Sequence, residues 1–159
     1  MRQIRHLTVC LALVIGSSLS SHAQSPPGTL AVIVHPDNPT TDLSFTDMRR
    51  ILRLDRQYWS PGASISLMLP GPSAPERKRV LDRVFQMSEQ GFRQHWIAVA
   101  YTVQALNLPR SYRECSVAVR VVSSVPTAMA IVNQSCVGNA DVRVLKVDGN
   151  SPGNSDYRL

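Results

Sequence analysis

The residues best suited to bind a ligand lie in one short segment, Pro70-Gly71-Pro72-Ser73-Ala74, between an apolar stretch and an amphipathic one. A helix start offers unpaired backbone N–H groups and the positive end of the helix dipole, which together attract anions. Gly71 would let an anion approach the backbone, Ser73 would donate its hydroxyl, and Arg77 would bind two oxygens at once. The pattern predicts an oxyanion-binding loop made of Gly71, Ser73, Ala74 and Arg77. The alternative is that Ser73 only caps the helix and that Arg77 is solvated.

Patterns for catalysis and metal binding are weak. The segment Gly71-Pro72-Ser73-Ala74-Pro75 begins like a nucleophile elbow but lacks the final glycine that this strained turn requires. After the N-terminal region only His35 and His95 are histidines, so a general base would depend on the fold bringing one of them to a nucleophile. No His, Cys, Asp or Glu residues stand at a recognised metal-ligand spacing. The sequence therefore predicts a protein that is not an enzyme and that holds neither a metal nor a cofactor.

The first 23 residues have the three-part layout of a secretory signal peptide. Arg2 and Arg5 form a basic start, and the apolar run Leu7 to Ile15 follows. This run is too short to span a bilayer, which needs ~20 apolar residues. Ser21-His22-Ala23 places small residues where signal peptidase cuts. We therefore expect residues 1–23 to be removed, leaving no membrane span.

Cleavage would leave residues 24–159, enough for one domain with a single core. Because two arginines leave with the signal, the net charge falls from +6 to +4. A modest positive charge suits an anionic small ligand or an acidic protein partner, while an exported chain is not expected to bind nucleic acid. We expect a periplasmic or secreted protein. The alternatives are an uncleaved anchor and a lipoprotein signal that uses Cys10, although Cys10 lies inside the apolar run.

Cys115 and Cys136 are the cysteines of the expected mature chain. Two cysteines in an oxidising compartment favour one structural disulfide. The alternatives are two free thiols and a redox-active pair, although the spacing does not resemble the Cys-x-x-Cys motif of redox proteins.

Apolar patterns predict strands at four places. The continuous run Leu30 to Val34 is typical of a buried strand, and Ile65 to Leu69 alternates well enough to be a second one. Ala128 to Val132 and Val142 to Val147 are predicted as closing strands. A turn-rich tail is expected from about residue 148.

Helices are predicted from capping residues and apolar spacing. Ser44 is expected to cap a helix that runs to about Arg53. Ser73 or Ala74 is expected to open a second helix, with Pro75 in its first turn. Ser88 is expected to cap a third helix. The segment Val117 to Val122 fits either a strand or a short helix that ends before Pro126. Together the elements predict an α/β or α+β fold with a mixed sheet covered by helices.

Several motifs, in this order, resemble those of a known family. The first strand is followed by His35-Pro36-Asp37-Asn38-Pro39, similar to an asparagine-proline turn, and Tyr58-Trp59-Ser60-Pro61-Gly62 is similar to a tryptophan and glycine turn. Further similar pieces are Leu43-Ser44, Arg83-Val84-Phe85, Trp96, Val144 to Gly149 and Tyr157-Arg158-Leu159. On these motifs the chain resembles the small periplasmic phosphate-binding-protein-like domains related to the substrate-binding proteins of phosphate ABC transporters.

The resemblance implies an α/β fold, a single lobe of the two-lobed type 2 periplasmic binding fold, with a mixed sheet flanked by helices. It also implies that the phosphate-contacting loop falls on Pro70 to Ala74, with Arg77 one turn further in. Two features depart from the family. Pro72 and Pro75 remove amide donors that a phosphate cradle would use, and the usual serine-glycine-threonine signature is absent. Leu52-Arg53-Leu54 also replaces a Phe-x-Gly stretch that is frequent in the family.

Two functional hypotheses follow from the sequence. In the first, the protein is exported, holds phosphate or a related oxyanion at residues 71–77, and serves an ABC permease. In the second, the lobe has lost ligand binding and acts as an interaction module with an envelope protein partner. A basic stretch that would meet an acidic partner, or that forms a solvated helix face, consists of Arg49, Arg50, Arg53 and Arg56.

Overall fold

The computed structural model describes residues 28–60, 62–102 and 108–159. The predicted signal peptide, residues 1–23, lies outside these ranges, so its cleavage stays a prediction. Within the described part of the chain, no helix has the length and apolar character needed to cross a membrane.

The described residues form short strands and helices that alternate along the chain. The strands are β1 (Leu30–Val34), β2 (Asp42–Leu43), β3 (Ser66–Pro70), β4 (Arg110–Tyr112), β5 (Ala128–Asn133), β6 (Arg143–Val144) and β7 (Lys146–Val147). The helices are α1 (Phe45–Leu52), α2 (Arg77–Val80), α3 (Glu89–Thr102) and α4 (Cys115–Ser124). A π-helical turn, Leu81–Phe85, continues α2, and a 3-10 turn, Gln134–Cys136, follows β5.

The central sheet is mixed, as the sequence predicted. Its five strands lie in the order β4-β3-β5-β1-β6. Strand β3 runs parallel to both β4 and β5, whereas β1 runs antiparallel to β5 and β6. Strands β2 and β7 form a separate parallel pair. The fold class is therefore α/β. Strands occur at all four predicted places, but the predicted strand Val142 to Val147 is split into β6 and β7, which belong to different sheets.

The sheet buries apolar side chains on both faces. Successive residues of a strand point to opposite faces, and all five residues of β1 are buried. Leu30, Val32 and Val34 belong to the larger core, which α1, the π-helical turn and α3 cover. Ala31 and Ile33 belong to the smaller core, which α4 covers. A strand with helices on both sides explains why β1 is a continuous apolar run.

Helix α1 begins and ends close to where the sequence places it. The Ser44 hydroxyl oxygen accepts a hydrogen bond from the Asp47 amide at 3.0 Å, which is an N-cap. Met48, Ile51 and Leu52 are buried on one side of the helix. The chain leaves α1 through Leu54, whose φ of 64° is left-handed.

Helix α2 begins later than predicted. Its first residue is Arg77 and its N-cap is Glu76, so the prediction that Ser73 or Ala74 opens the helix, with Pro75 in its first turn, is wrong. Two tight turns come before the helix. The Ala74 amide donates to the Gly71 carbonyl and the Arg77 amide donates to the Ala74 carbonyl, each at 3.0 Å. These turns use the amides of Ala74 and Arg77, and the helix starts only at the end of the second turn.

The segment Val117 to Val122 is helical, which resolves the alternative between strand and helix. Ala118, Val119 and Val122 are buried against the sheet, whereas Val117 is exposed. The helical spacing of these buried residues outweighs the preference of valine for strands. The predicted disulfide is present: Cys115, the first residue of α4, is bonded to Cys136 with a Cα–Cα distance of 6.1 Å.

Candidate functional site

The predicted oxyanion loop lies between the carboxyl end of β3 and the start of α2. Gly71 is buried, and its amide donates to the Tyr112 carbonyl at 2.7 Å, which extends the pairing of β3 with β4. A Cβ atom at this position would lie 2.9 Å from the same carbonyl oxygen, so a larger residue would push the strands apart. Close packing inside the lobe therefore accounts for the glycine.

Few backbone donors of this loop are free for a ligand. The amides of Gly71, Ala74 and Arg77 all donate to carbonyl groups of the chain itself. Pro72 and Pro75 carry no N–H group. The Ser73 side chain is exposed and makes no hydrogen bond with another described residue. The loop therefore lacks the convergent amides that helix starts present to phosphate groups.

Arg77 is the cation of the loop, and its guanidinium contacts three other residues. Its Nε donates to Glu89 Oε2 at 3.2 Å and its Nη2 donates to Glu89 Oε1 at 2.7 Å, which is a bidentate ion pair. Its Nη1 donates to the Pro70 carbonyl at 2.7 Å, and its guanidinium lies 4.1 Å from the centre of the Phe92 ring. The side chain is only 11% exposed, so the interpretation of Arg77 as a solvated residue is wrong.

Glu89 compensates the charge of Arg77. The hydrogen bond from Arg77 is the main reason why the pKa of the Glu89 carboxyl is lowered; partial burial opposes this shift, and the positive charges of Arg77 and Arg93 add to it. The carboxylate is therefore ionised at neutral pH and occupies the fork of the guanidinium. A phosphate would have to displace this carboxylate to bind Arg77 bidentately.

A second pair of polar residues lies behind the loop, and sequence analysis missed it. Glu76 is 2% exposed, and the Tyr112 hydroxyl lies 2.8 Å from its Oε1 and 2.6 Å from the Ile131 carbonyl oxygen. Burial, followed by the contact with Glu76, raises the pKa of Tyr112 far above its ordinary value. The tyrosine therefore stays neutral and its hydroxyl links the loop to β5. No local pattern reveals this pair, because its members are 36 residues apart.

Replacing Tyr112 by phenylalanine removes this link. Glu76 Oε1 and the Ile131 carbonyl would then lose a buried partner, so we expect the free energy of unfolding to fall by about 1–3 kcal/mol. Urea unfolding followed by circular dichroism measures this loss. Tyr101→Phe is the matched control, since it deletes the same oxygen from a side chain that is 88% exposed. Equal stability of the two variants would contradict the assigned role of Tyr112.

An apolar cavity opens beside the loop. Its volume is about 280 Å³, and its apolar walls come from β3, α3 and the residues before β4: Leu69, Pro70, Phe92, Trp96, Leu108 and Pro109. Phe92 packs edge-on against both Phe85 and Trp96, with ring centres 4.8 and 5.7 Å apart. The cations that line the cavity are Arg77, which Glu89 compensates, and Arg110. The cavity therefore suits an apolar group better than a free anion.

The histidines and the possible metal ligands lie apart in the described part of the chain. No cluster of three His, Cys, Asp or Glu side chains that could hold a metal ion occurs in the described ranges. His35 Nδ1 accepts a hydrogen bond from the Asp37 amide at 3.1 Å. His95 lies on α3, where burial, aided by the positive charge of Arg53, lowers its pKa. Both histidines are thus placed by local packing.

The fold is similar to that of known proteins, although the sequence is not. No family model and no curated protein matches the sequence. PstS from Borrelia burgdorferi matches the structure with a TM-score of 0.61 and 14% identity, over 78% of this chain and 49% of that one. An ABC-type phosphate transport receptor from Vibrio cholerae matches with a TM-score of 0.62 and 15% identity, over 78% and 48% of the two chains.

A third matching structure contains a bound phosphate of its own. It is a substrate-binding protein structure from Clostridium perfringens with bound phosphate, with a TM-score of 0.58 and 18% identity over 78% of this chain and 46% of that one. The present chain spans about half the length of the solved structures it resembles. It therefore has the fold of one lobe of a phosphate ABC transporter substrate-binding protein.

Proposed function

We propose that this protein is exported and acts in the periplasm or outside the cell as a protein-interaction module built on a single binding-protein lobe. One observation carries the proposal: the guanidinium of Arg77, the cation of the predicted phosphate loop, is already bound to Glu89, to the Pro70 carbonyl and to the Phe92 ring. The disulfide and the likeness to phosphate transport receptors support an oxidising compartment.

The electrostatics of the loop disfavour a free phosphate. The carboxylate of Glu89 already accepts hydrogen bonds from the two donors that would bind the anion. A phosphate that displaced Glu89 would leave this carboxylate without its partner, beside the negative charge of the phosphate itself. The amides of Gly71, Ala74 and Arg77 cannot compensate for this repulsion, because they already donate to carbonyl groups of the chain.

The exposed apolar surface beside the cavity supports a protein partner. Ile97 and Tyr101 lie four residues apart on α3, and therefore on the same side of the helix, with exposures of 59% and 88%. Leu108, at the rim of the cavity, is 41% exposed. Aromatic and apolar side chains of this kind are enriched at the centres of protein interfaces. We infer that α3 and the cavity rim form the partner-binding surface.

The basic stretch at α1 contributes less to this surface, because three of its four arginines make a local contact. Arg49 lies 5.9 Å from the centre of the Phe45 ring, and Arg50 lies 3.7 Å from the Asp47 carboxylate. Arg56 Nε donates to the Tyr58 carbonyl at 3.3 Å. The stretch therefore resembles an ordinary helix surface more than a prepared acidic-partner site.

Site-specific photo-crosslinking in the native organism tests the partner-binding surface. A photoreactive phenylalanine analogue at Tyr101 is expected to give a defined adduct with one envelope protein. The same analogue at Arg120, an exposed residue of α4 on the other face of the sheet, is the control and is expected to give none. Absence of an adduct at Tyr101, or identical adducts at both positions, would contradict the proposal.

The first hypothesis, phosphate binding at Gly71, Ser73, Ala74 and Arg77, stays a prediction. Two of the matching structures favour it, because one is a phosphate transport receptor and the other a substrate-binding protein with bound phosphate. Titration of the purified protein with inorganic phosphate, followed by amide NMR spectra, separates the two hypotheses. We expect the loop amides not to shift. A saturable shift of Gly71 and Ala74 that is lost in Arg77→Gln would instead establish an oxyanion receptor, for which an ABC permease is the expected partner.

A further inference from the structure

A second, larger cavity lies at the other end of the α2 segment. Its volume is about 400 Å³, which is within the range of small-ligand sites. Its walls come from the beginning of the described chain, from α2 and the π-helical turn that follows it, and from the C-terminal tail. The lining residues are Gly28, Thr29, Arg79, Arg83, Gly153, Asn154, Ser155, Tyr157 and Leu159.

The cavity brings together two positively charged side chains. Arg79 and Arg83 stand four residues apart, and none of the lining side chains is acidic. Neither arginine makes an ion pair with a described residue. Like charges at this helical spacing repel each other and destabilise the folded chain. This arrangement contrasts with Arg77 and Lys78 of the same segment, which pair with Glu89 and Asp82.

The backbone is shaped to hold one of these cations. Gly28 has a φ of 107°, and a Cβ atom added there would overlap the guanidinium of Arg79. The guanidinium thus lies directly against the backbone at Gly28, whose positive φ favours glycine. Across the cavity, the tail turns at Gly153, which has a φ of 98°. The side chains of Asn154 and Ser155 in that turn carry hydrogen-bond donors.

We propose that this cavity binds an oxyanion of the phosphate class through Arg79 and Arg83, with the turn of residues 153–155 as the opposing wall. Guanidinium groups match phosphate oxygens in pairs, and two of them at one cavity suit a group with more than one negative charge. The proposal goes beyond the proposed function, because it concerns a different surface from the β3–α2 loop and from α3.

Titration of the purified protein with inorganic phosphate tests the site. Saturable shifts are expected for the amides of Thr29, Gly153 and Ser155 in NMR spectra. Arg83→Gln is expected to weaken this binding about tenfold or more, because it removes a charge-assisted pair of hydrogen bonds. Arg83 is exposed, so replacing it should leave the fold intact.

Lys78→Gln is the matched control, since it removes the same charge from the same helix at a side chain that is 87% exposed. Its affinity for phosphate should stay within about twofold of that of the unmodified protein, because Lys78 does not line the cavity and its exposed charge acts only through a screened field. The inference is overturned if the three amides do not shift, or if both variants weaken binding equally. Shifts confined to Gly71 and Ala74 would overturn it as well, and would overturn the proposed function independently.

Discussion

Phe85→Ala is expected to lower the free energy of unfolding by about 3–5 kcal/mol, the cost of deleting a fully buried aromatic ring. Phe85 is 1% exposed and ends the π-helical turn that follows α2. Its ring packs edge-on against Phe92, which in turn packs against Trp96. The deletion therefore leaves a void behind the aromatic wall of the apolar cavity, and the remaining rings cannot close it without moving α3.

Guanidinium unfolding followed by tryptophan fluorescence measures this effect, because Trp96 belongs to the affected wall. Phe85→Leu should lose less than half as much stability, since it keeps most of the apolar volume. Tyr101→Ala should change stability by no more than about 0.5 kcal/mol, because that side chain is 88% exposed. A Phe85→Ala variant as stable as the Tyr101→Ala variant would show that the ring does not support the core.

Replacing both cysteines by serine is expected to cost about 3 kcal/mol, because the Cys115–Cys136 bond closes a loop with a sequence separation of 21 residues. In the chain-entropy model the cross-link restricts the unfolded chain, so its removal favours unfolding. For a domain of this size the melting temperature should fall by about 10 °C. Calorimetry of the oxidised protein and of the Cys115→Ser, Cys136→Ser double variant gives both quantities.

Chemical reduction of the unmodified protein is the control, and it should reproduce the lower melting temperature of the double variant. Unchanged melting after complete reduction would show that the bond does not stabilise the fold. The same bond also tests the location of the protein. Thiol labelling of protein taken directly from cells should find both cysteines blocked, whereas two reactive thiols would contradict export.

Local signals were sufficient for several elements of the fold. Ser44 and Asp47 form a cap within four residues of chain, so their sequence pattern contained the whole interaction. Strand β1 was predictable because both faces of the sheet are covered, which requires apolar residues at every position. Leu54 is instructive as well: it adopts a left-handed φ where the resembled family often has glycine, so the backbone turn persists without the residue that favours it.

Features that depend on tertiary contacts or on turn geometry could not be predicted from the sequence. The start of α2 was misplaced because Ser73 resembles a cap, yet two turns over residues 71–77 delay the helix to Arg77. The helical state of Val117 to Val122 is set by packing against the sheet rather than by the preference of valine. Arg77 was recognised as a chemical group, but its partner Glu89 lies 12 residues away on another helix. Charge compensation of this kind depends on tertiary structure.

The shortness of the two outer strands has a consequence for assembly. Strand β4 has three residues and strand β6 has two, and each begins with an arginine, Arg110 and Arg143. Short, charged outer strands resist intermolecular strand addition, the route by which sheets join into aggregates. We therefore expect the lobe to stay dispersed at high concentration in a crowded envelope, and any partner to recognise it through side chains rather than by extending its sheet.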